Sequence, residues 1–332
     1  MKRYDLLYDK IYSLENLRIA DQKARKGKKR SRGVKLFDED REGNLLRLHE
    51  LLKTGQYQTS RYHFFKVYDP KERTIACLPY YPDRIVHHAI MNVLDPIFTK
   101  MFTADTYACI KERGAHLARK RIMRAMRRDA EGTKYCLKLD IRKYYPSIDH
   151  DVMKGIVRRK IKDVRTLALL DEVIDSADGL PIGNYISQTL ANVYLSYFDH
   201  YVKEVLKVKY YYYRYVDDIV ILCDSKDQLR AWYHAIEKAL AKLKLQVKPN
   251  WQIFPVDARG LDFLGFVFYH SHVRLRKRIK RNLFRTLAHL RKVCKTTKEI
   301  RLAVASYIGW LKYTNSRNLI NTLNTFSYGK VF

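Results

Sequence analysis

Acidic residues are scarce. The 332-residue chain carries 35 Asp and Glu against 65 Lys and Arg, a formal charge of +30. That excess lies far beyond what solubility requires and points to a polyanionic partner, bound by counterion release and weakened steeply by salt. Cysteine is sparse as well. Cys77, Cys109, Cys136, Cys223 and Cys294 are widely separated, odd in number and include no C-x-x-C pair, which argues against a zinc site or a disulfide framework and suits a reducing cytoplasm. No run approaches the ~20 apolar residues needed to span a bilayer, and Met1-Lys2-Arg3-Tyr4-Asp5 leads into no signal-peptide core. The expectation is a cytoplasmic protein with no membrane partner. No repeat of fixed period is present, which excludes a solenoid. What is abundant is apolar and aromatic: 47% of residues are hydrophobic and 26 are tyrosine. The chain can therefore bury a large core spread over two or three structural domains, and rings beside cations suit stacked bases, although many of them will be core.

Periodicity divides the chain into elements. Leu6, Leu7, Ile11, Leu14 and Leu17 mark an opening helix, followed by a basic stretch, residues 23–35, that reads equally as a flexible nucleic-acid-touching arm or as a solvated linker. A helix over 44–54 ends at Gly55. β-rich runs at 62–67 and 74–78 flank a hairpin tip at 69–73 whose basic residues suit a triphosphate. Helices follow over 82–98 and 115–129, the second strongly cationic through Arg119, Lys120, Arg121, Arg124, Arg127 and Arg128. A strand over 135–141 carries Asp140 at its end, helices start after Asp149 and span 190–206, and the runs 210–216 and 219–223 enclose Asp217-Asp218 as in a tight hairpin. A helix over 232–243 and a hairpin over 263–275 precede a basic, mostly helical segment, 277–332.

Two adjacent carboxylates between buried runs repel one another. As an isolated dipeptide, Asp-Asp is best read as a solvated turn. Here Asp140 ends a second apolar strand, and leaving three buried carboxylates uncompensated costs several kcal/mol. A hard divalent cation relieves that cost, so the three acids suit Mg²⁺ and two-metal phosphoryl transfer.

Tyr215-Val216-Asp217-Asp218 resembles the Tyr-x-Asp-Asp motif of reverse transcriptases, and Leu137-Lys-Leu-Asp-Ile-Arg-Lys-Tyr-Tyr-Pro-Ser-Ile-Asp149 is similar to their first aspartate motif. The resemblance implies an α/β (α+β) right-hand polymerase with fingers, a ferredoxin-like palm and a helical thumb. The implied limits are an N-terminal helical and basic extension over 1–60, fingers over 61–134, palm over 135–269 with a fingers insertion near 150–178, and thumb over 270–332. It also implies that Asp140 and Asp217 bridge two Mg²⁺ ions, that Asp218 binds mainly one, and that the Ile141 carbonyl completes the triphosphate-side site. Tyr145 falls at the steric-gate position that excludes a ribose 2′-hydroxyl, although from the residues alone Tyr144 and Tyr145 both suit a core. Arg73 and Arg84 match triphosphate-binding fingers positions, with Lys71 an alternative to the first. Lys248 matches the motif D lysine, or is a solvated cation.

Leu180-Pro-Ile-Gly-Asn-Tyr-Ile-Ser-Gln188 resembles the motif beneath the incoming nucleotide, with Ile182 where most of the family has Gln and Gln188 where most has Pro. Ile182, Gly183 and Gln188 in this pattern resemble reverse transcriptases of diversity-generating retroelements, which mutagenise template adenines. An amide fixes the nucleotide sugar by hydrogen bonding whereas isoleucine offers contact area alone, so selection against mispairs relaxes; a loop residue filling an apolar gap is the plainer reading of Ile182. That resemblance implies a template RNA, a DNA or RNA primer, dNTPs, a small basic accessory protein oligomer, and a bacterial or phage-infected cytoplasm. Arg119, Arg124, Arg127, Lys277 and Arg278 are the expected nucleic-acid contacts. Residues 305–316 are similar to the thumb of the same group. The chain reads as polymerase alone, without nuclease or ribonuclease H. The alternatives are a group II intron-like or retron-like enzyme without a mutagenic role, and a noncatalytic RNA-binding protein on a polymerase scaffold.

Overall fold

The fold is that of a computed structural model, which describes residues 3–68, 72–208, 210–293 and 296–326. Four helices open it: α1 (Tyr8–Tyr12), α2 (Leu14–Ala24), α3 (Arg32–Asp38) and α4 (Arg41–Lys53). Local caps set two of the starts. The Ser13 hydroxyl accepts from the Asn16 N–H and the Asp40 carboxylate from the Gly43 N–H, satisfying donors that a helix N-terminus leaves free. Leu17, Leu45, Leu48 and Leu52 are fully buried beneath them. The two ends of the basic stretch 23–35 are folded onto this layer, and residues 26–31 form an exposed turn between them. Asp21 is fully buried and binds the Arg25 and Arg41 guanidiniums and the Tyr80 hydroxyl, while Val34 and Phe37 of α3 are buried. A buried carboxylate left unpaired is strongly destabilising, so Arg25 is committed to the core, which a count of charges does not reveal.

A hairpin of β1 (His63–Val67) and β2 (Arg73–Cys77) follows, in register from His63↔Cys77 to Val67↔Arg73. The tip residues 69–71, Lys71 among them, lie outside the described residues. Behind the hairpin, α5 (Ile85–Thr99) is buried over most of its length. The next helix, α6 (Ala115–Arg128), is two-faced, with Ala118, Ile122, Met123 and Met126 inward and the arginines on the remaining surface.

The centre is an antiparallel sheet of β3 (Tyr135–Asp140), β4 (Tyr212–Tyr215), β5 (Asp218–Cys223) and β6 (Gln252–Pro255), in the spatial order β4-β5-β3-β6. Helices α7 (His150–Arg158), α8 (Val164–Asp175), α9 (Tyr185–Tyr194) and α10 (Ser196–His200) lie between β3 and β4, and α11 (Lys226–Lys242) joins β5 to β6. This βαββαβ order is ferredoxin-like, as expected. Alternation sends Leu137, Leu139, Ile219 and Ile221 to the core shared with the helical layer, and Cys136, Val220 and Leu222 to a second core beneath α6. Several bounds differ from the sequence reading, the helix expected from 232 beginning at Lys226 among them. The helix expected from 190 begins at Tyr185, directly after the 181–184 loop, and β6 is a strand that the sequence reading missed. Its four residues follow Pro249 and end on Pro255, too short a run to show alternation, and pairing with β3 makes the strand.

After the short α12 (Val256–Arg259), a three-stranded sheet is formed by β7 (Leu261–Phe263), β8 (Phe266–Phe268) and β9 (Val273–Leu275). The helices α13 (Lys277–Lys292), α14 (Thr297–Leu311) and α15 (Arg317–Phe326) then gather a core of their own around Leu283, Leu287, Ile300, Val304 and Leu323. Cys294 and residues 327–332 lie outside the described residues. Among the described residues no helix is long and apolar enough to cross a membrane.

Candidate active site

The two central strands bring the predicted carboxylates together. Asp140, the last residue of β3, lies directly opposite Asp218, the first of β5, and Val216 and Asp217 form the two-residue connection from β4. Such a tight connection requires left-handed backbone. Val216 supplies it at φ +58°, a conformation that costs a β-branched residue roughly 1–2 kcal/mol. The Ile141 N–H donates to the Asp217 carbonyl at 3.3 Å, tying the end of β3 to the turn. Burial, and then the charge of Asp140, push the Asp217 carboxyl up to about 7. Asp218 is likewise raised by burial, with Lys138, Arg276 and Lys248 opposing.

The donor set fits a hard cation. Asp140 Oδ1 is buried with no hydrogen-bond partner, while Lys248 places its Nζ 2.6 Å from Oδ2 of the same carboxylate and donates its N–H to the Asp140 carbonyl at 2.9 Å. A positive charge is therefore already drawn to this carboxylate. Among the described residues no group of three or more His, Cys, Asp or Glu side chains is arranged to hold an ion, so Asp140 and Asp217 form the close pair and Asp218 stands beside them rather than completing a ring.

The other expected residues separate into three places. Tyr144 is core, at 2% exposure, whereas Tyr145 is half-buried at the start of a short 3₁₀ turn and feels the charges of both Asp217 and Arg73. Arg73, on the exposed end of β2, is the cation that acts on Tyr145. Arg84 stands in a second place, directly before α5. It lines a 260 Å³ cavity with Lys23, His87, His88, Gly183 and Gln188, half-buried and bonded only to the Cys77 thiol at 3.5 Å. Ile182 lies between the two places, its carbonyl accepting from the Ala76 N–H of β2 at 2.8 Å. Gly183 at φ +125° is required there, since a Cβ would stand 2.4 Å from the Ala76 carbonyl oxygen. The third place is the outer face of α6. Arg119 binds the Tyr313 carbonyl at 3.2 Å and stacks over its ring, so it fastens α6 to the C-terminal helices, while Arg124 and Arg127 line a 610 Å³ groove beside Lys312. Lys277 and Arg278 are exposed in the first turn of α13.

Sequence reasoning missed Arg214 and Asp199, a fully buried ion pair behind the Asp217 turn. A signal was present: Arg214 is the one charge inside the apolar and aromatic run 210–216.

The family described as reverse transcriptase (RNA-dependent DNA polymerase) matches residues 68–268, more than half of the chain. The chain belongs to that family. Its sequence is 27% identical over 280 residues to Protein YkfC of Escherichia coli, covering 70% of this reverse transcriptase and 71% of that protein. It is 26% identical over 183 residues to the group II intron-encoded protein LtrA of Lactococcus lactis, covering 51% of this chain and 30% of that one. In fold it is similar to apo telomerase from Candida tropicalis, with a TM-score of 0.51 at 11% identity over 81% of this chain and 62% of that one. The reverse transcriptase thus spans under a third of LtrA and about three fifths of the telomerase. The telomerase likeness, at that identity, supports the right-hand polymerase fold and nothing finer.

Proposed function

We propose that this reverse transcriptase extends a DNA or RNA primer by copying an RNA template, with chemistry seated at Asp140, Asp217 and Asp218. The carrying observation is the pairing of Asp140 with Asp218 across β3 and β5 and the half-buried Asp217 beside them, its carboxyl raised to about 7. Asp140, Asp217, Asp218 and the Ile141 carbonyl would hold two Mg²⁺ ions, which when bound acidify the primer 3′-hydroxyl and neutralise the triphosphate and departing pyrophosphate. Arg73 binds the triphosphate from β2. Tyr145 presents its ring to the sugar and turns away a 2′-hydroxyl. Lys248, held beside Asp140, supplies positive charge to the leaving group. Arg124, Arg127, Lys277 and Arg278 bind phosphates of the template and primer strands. The working division is fingers through 134, palm over 135–269 and thumb beyond, with 1–60 as an N-terminal layer.

The finer reading is a diversity-generating retroelement enzyme. Ile182 offers the nucleotide sugar no hydrogen bond, so geometry is less tightly imposed and adenines are miscopied; a small basic oligomeric protein would assist RNA binding. The kinship with LtrA favours a second reading, a group II intron-like polymerase of ordinary fidelity. Primer extension on a defined adenine-containing RNA, followed by cDNA sequencing, separates them. The proposal expects extension by the parent, none by Asp217→Asn, and errors concentrated at adenines that Ile182→Gln reduces. Extension with errors unchanged by Ile182→Gln would discard the mutagenic role, and no extension with any template or partner would discard the polymerase.

A further inference from the structure

The turn that presents Asp217 is held from behind. Alternation along β4 points Tyr212 and Arg214 into the core shared with the helical layer, away from the Tyr213 face. There Arg214 is fully buried, and so is Asp199 of α10. The pairing is bidentate: Nε donates to Asp199 Oδ1 at 2.7 Å and Nη2 to Oδ2 at 2.6 Å. Asp199 is itself fixed by the Tyr212 hydroxyl at 2.6 Å and the Thr106 hydroxyl at 2.9 Å. The backbone of Arg214 is fixed too, its N–H donating to the Asp105 carbonyl at 3.0 Å and its carbonyl accepting from the Tyr107 N–H at 3.1 Å.

One nitrogen is left over. Nη1 donates to the Val216 carbonyl at 2.8 Å and to Asn192 Oδ1 of α9 at 3.2 Å. Both carbonyls of the two-residue turn are therefore held, Asp217's by the Ile141 N–H and Val216's by a charged donor. Val216 is the strained residue of that turn, at φ +58°, and a strained backbone persists only where its surroundings over-determine it. A buried guanidinium needs a carboxylate, which explains Asp199, but a carboxylate pair alone needs neither the third arm nor the contact with the turn.

We propose that Arg214 is a positioning residue for the polymerase reaction: clamped by Asp199, it holds the Val216 carbonyl and so fixes Asp217 against Asp140. This rests on the polymerase reading of the same carboxylates. Lysine at 214 keeps the charge, but one ammonium cannot reproduce the planar fork whose Nε and Nη2 grip Asp199 while Nη1 reaches the turn, so the Val216 contact loosens.

The test is Arg214→Lys in the full chain, bound to an RNA template and DNA primer. The melting temperature should stay within a few degrees of the parent and RNA affinity within twofold. The turnover number should fall at least tenfold, with the KM for deoxynucleotide within twofold, and binding of Mn²⁺, followed by electron paramagnetic resonance, should weaken at least threefold. The double variant Arg214→Lys/Val216→Gly should regain part of the lost turnover, because glycine adopts the turn conformation without strain. If Arg214→Lys does not accumulate folded, Tyr212→Phe, which removes one bond to Asp199, should show the same pattern at about threefold in turnover. Reduced melting temperature with unchanged turnover and Mn²⁺ affinity would make the pair a structural ion pair only and overturn the proposal. A parent that binds Mn²⁺ but never extends a primer would overturn the polymerase reading instead, while Mn²⁺ affinity would still report on Arg214.

Discussion

Replacing Gly183 by alanine should separate nucleotide binding from stability. The new Cβ would meet the Ala76 carbonyl oxygen at 2.4 Å and Ile75 Cγ2 at 2.9 Å, on a backbone at φ +125°. Two responses compete. Keeping the present backbone costs about 1–3 kcal/mol of conformational strain before any overlap is counted. Withdrawing β2 from the loop sacrifices the Ala76 to Ile182 hydrogen bond, worth about 1 kcal/mol net, and uncovers one small buried side chain, Ala76, since the rest of β2 is exposed or half-buried and β1 is exposed along its length. Withdrawal is the cheaper route. The melting temperature should then fall by only about 2 °C, the scale of 1 kcal/mol in a chain of this size. Arg73 moves with β2, and losing a charge-assisted contact of about 1.5–3 kcal/mol lowers kcat/KM for deoxynucleotide at least tenfold, mostly through KM. Single-nucleotide incorporation on an RNA template, thermal melting and RNA binding to the same preparation give the three readouts. An unchanged KM with a melting temperature lowered by 8 °C or more would show that the strain stays in the loop, and the reasoning fails.

Four further outcomes are expected. Because its folded carboxyl is raised to about 7, Asp217 opposes folding above its unfolded range, a penalty that grows as pH rises from about 4 to 7 and then levels off. His87 and His88, pulled down by burial to about 3 and about 4, act the other way below about pH 6.5, so Asp217→Asn should raise the melting temperature at pH 8 more than at pH 5.5, and an equal effect at both would refute the shift. Mg²⁺ should stabilise the parent more at pH 8 than at pH 5.5, where it competes with a proton; calorimetry showing equal stabilisation would count against a carboxylate site. Tyr145→Ala should lower discrimination against ribonucleotides at least tenfold in incorporation assays, and unchanged discrimination would remove the steric role. Arg124→Ala with Arg127→Ala should reduce the salt slope of single-stranded RNA binding by about 1.4, with no change if those residues merely face solvent.

Three strands of the central sheet were legible because they lie in apolar, aromatic or β-branched runs that meet at acids nothing apolar explains. Asp140 and Asp218 fall opposite one another because each ends a run whose length the sequence displays. Other features depend on partners remote in sequence. The place of Arg25 turns on Asp21 and Tyr80, and a charge run carries no mark of which arginine has a buried acid waiting. β6 is a strand because β3 offers it an edge, not because four residues declare one. Arg84 and Arg73 look alike in sequence, yet Arg73 begins the exposed end of β2 while Arg84 is half-buried against Cys77 at its other end, which only packing decides. Arg214 was visible as an anomaly but not as a clamp, since Asp199 lies 15 residues earlier on another element.

One apolar mass runs from Leu7 and Leu17 of the opening helices through Ile90 to Leu139 and Ile221 of the central sheet, while the last three helices pack around a mass of their own. A trimmed version beginning near residue 60 would therefore not be a smaller copying machine. It would be a sheet stripped of one whole flank of its ballast, and its loss would reach the aspartates without touching them.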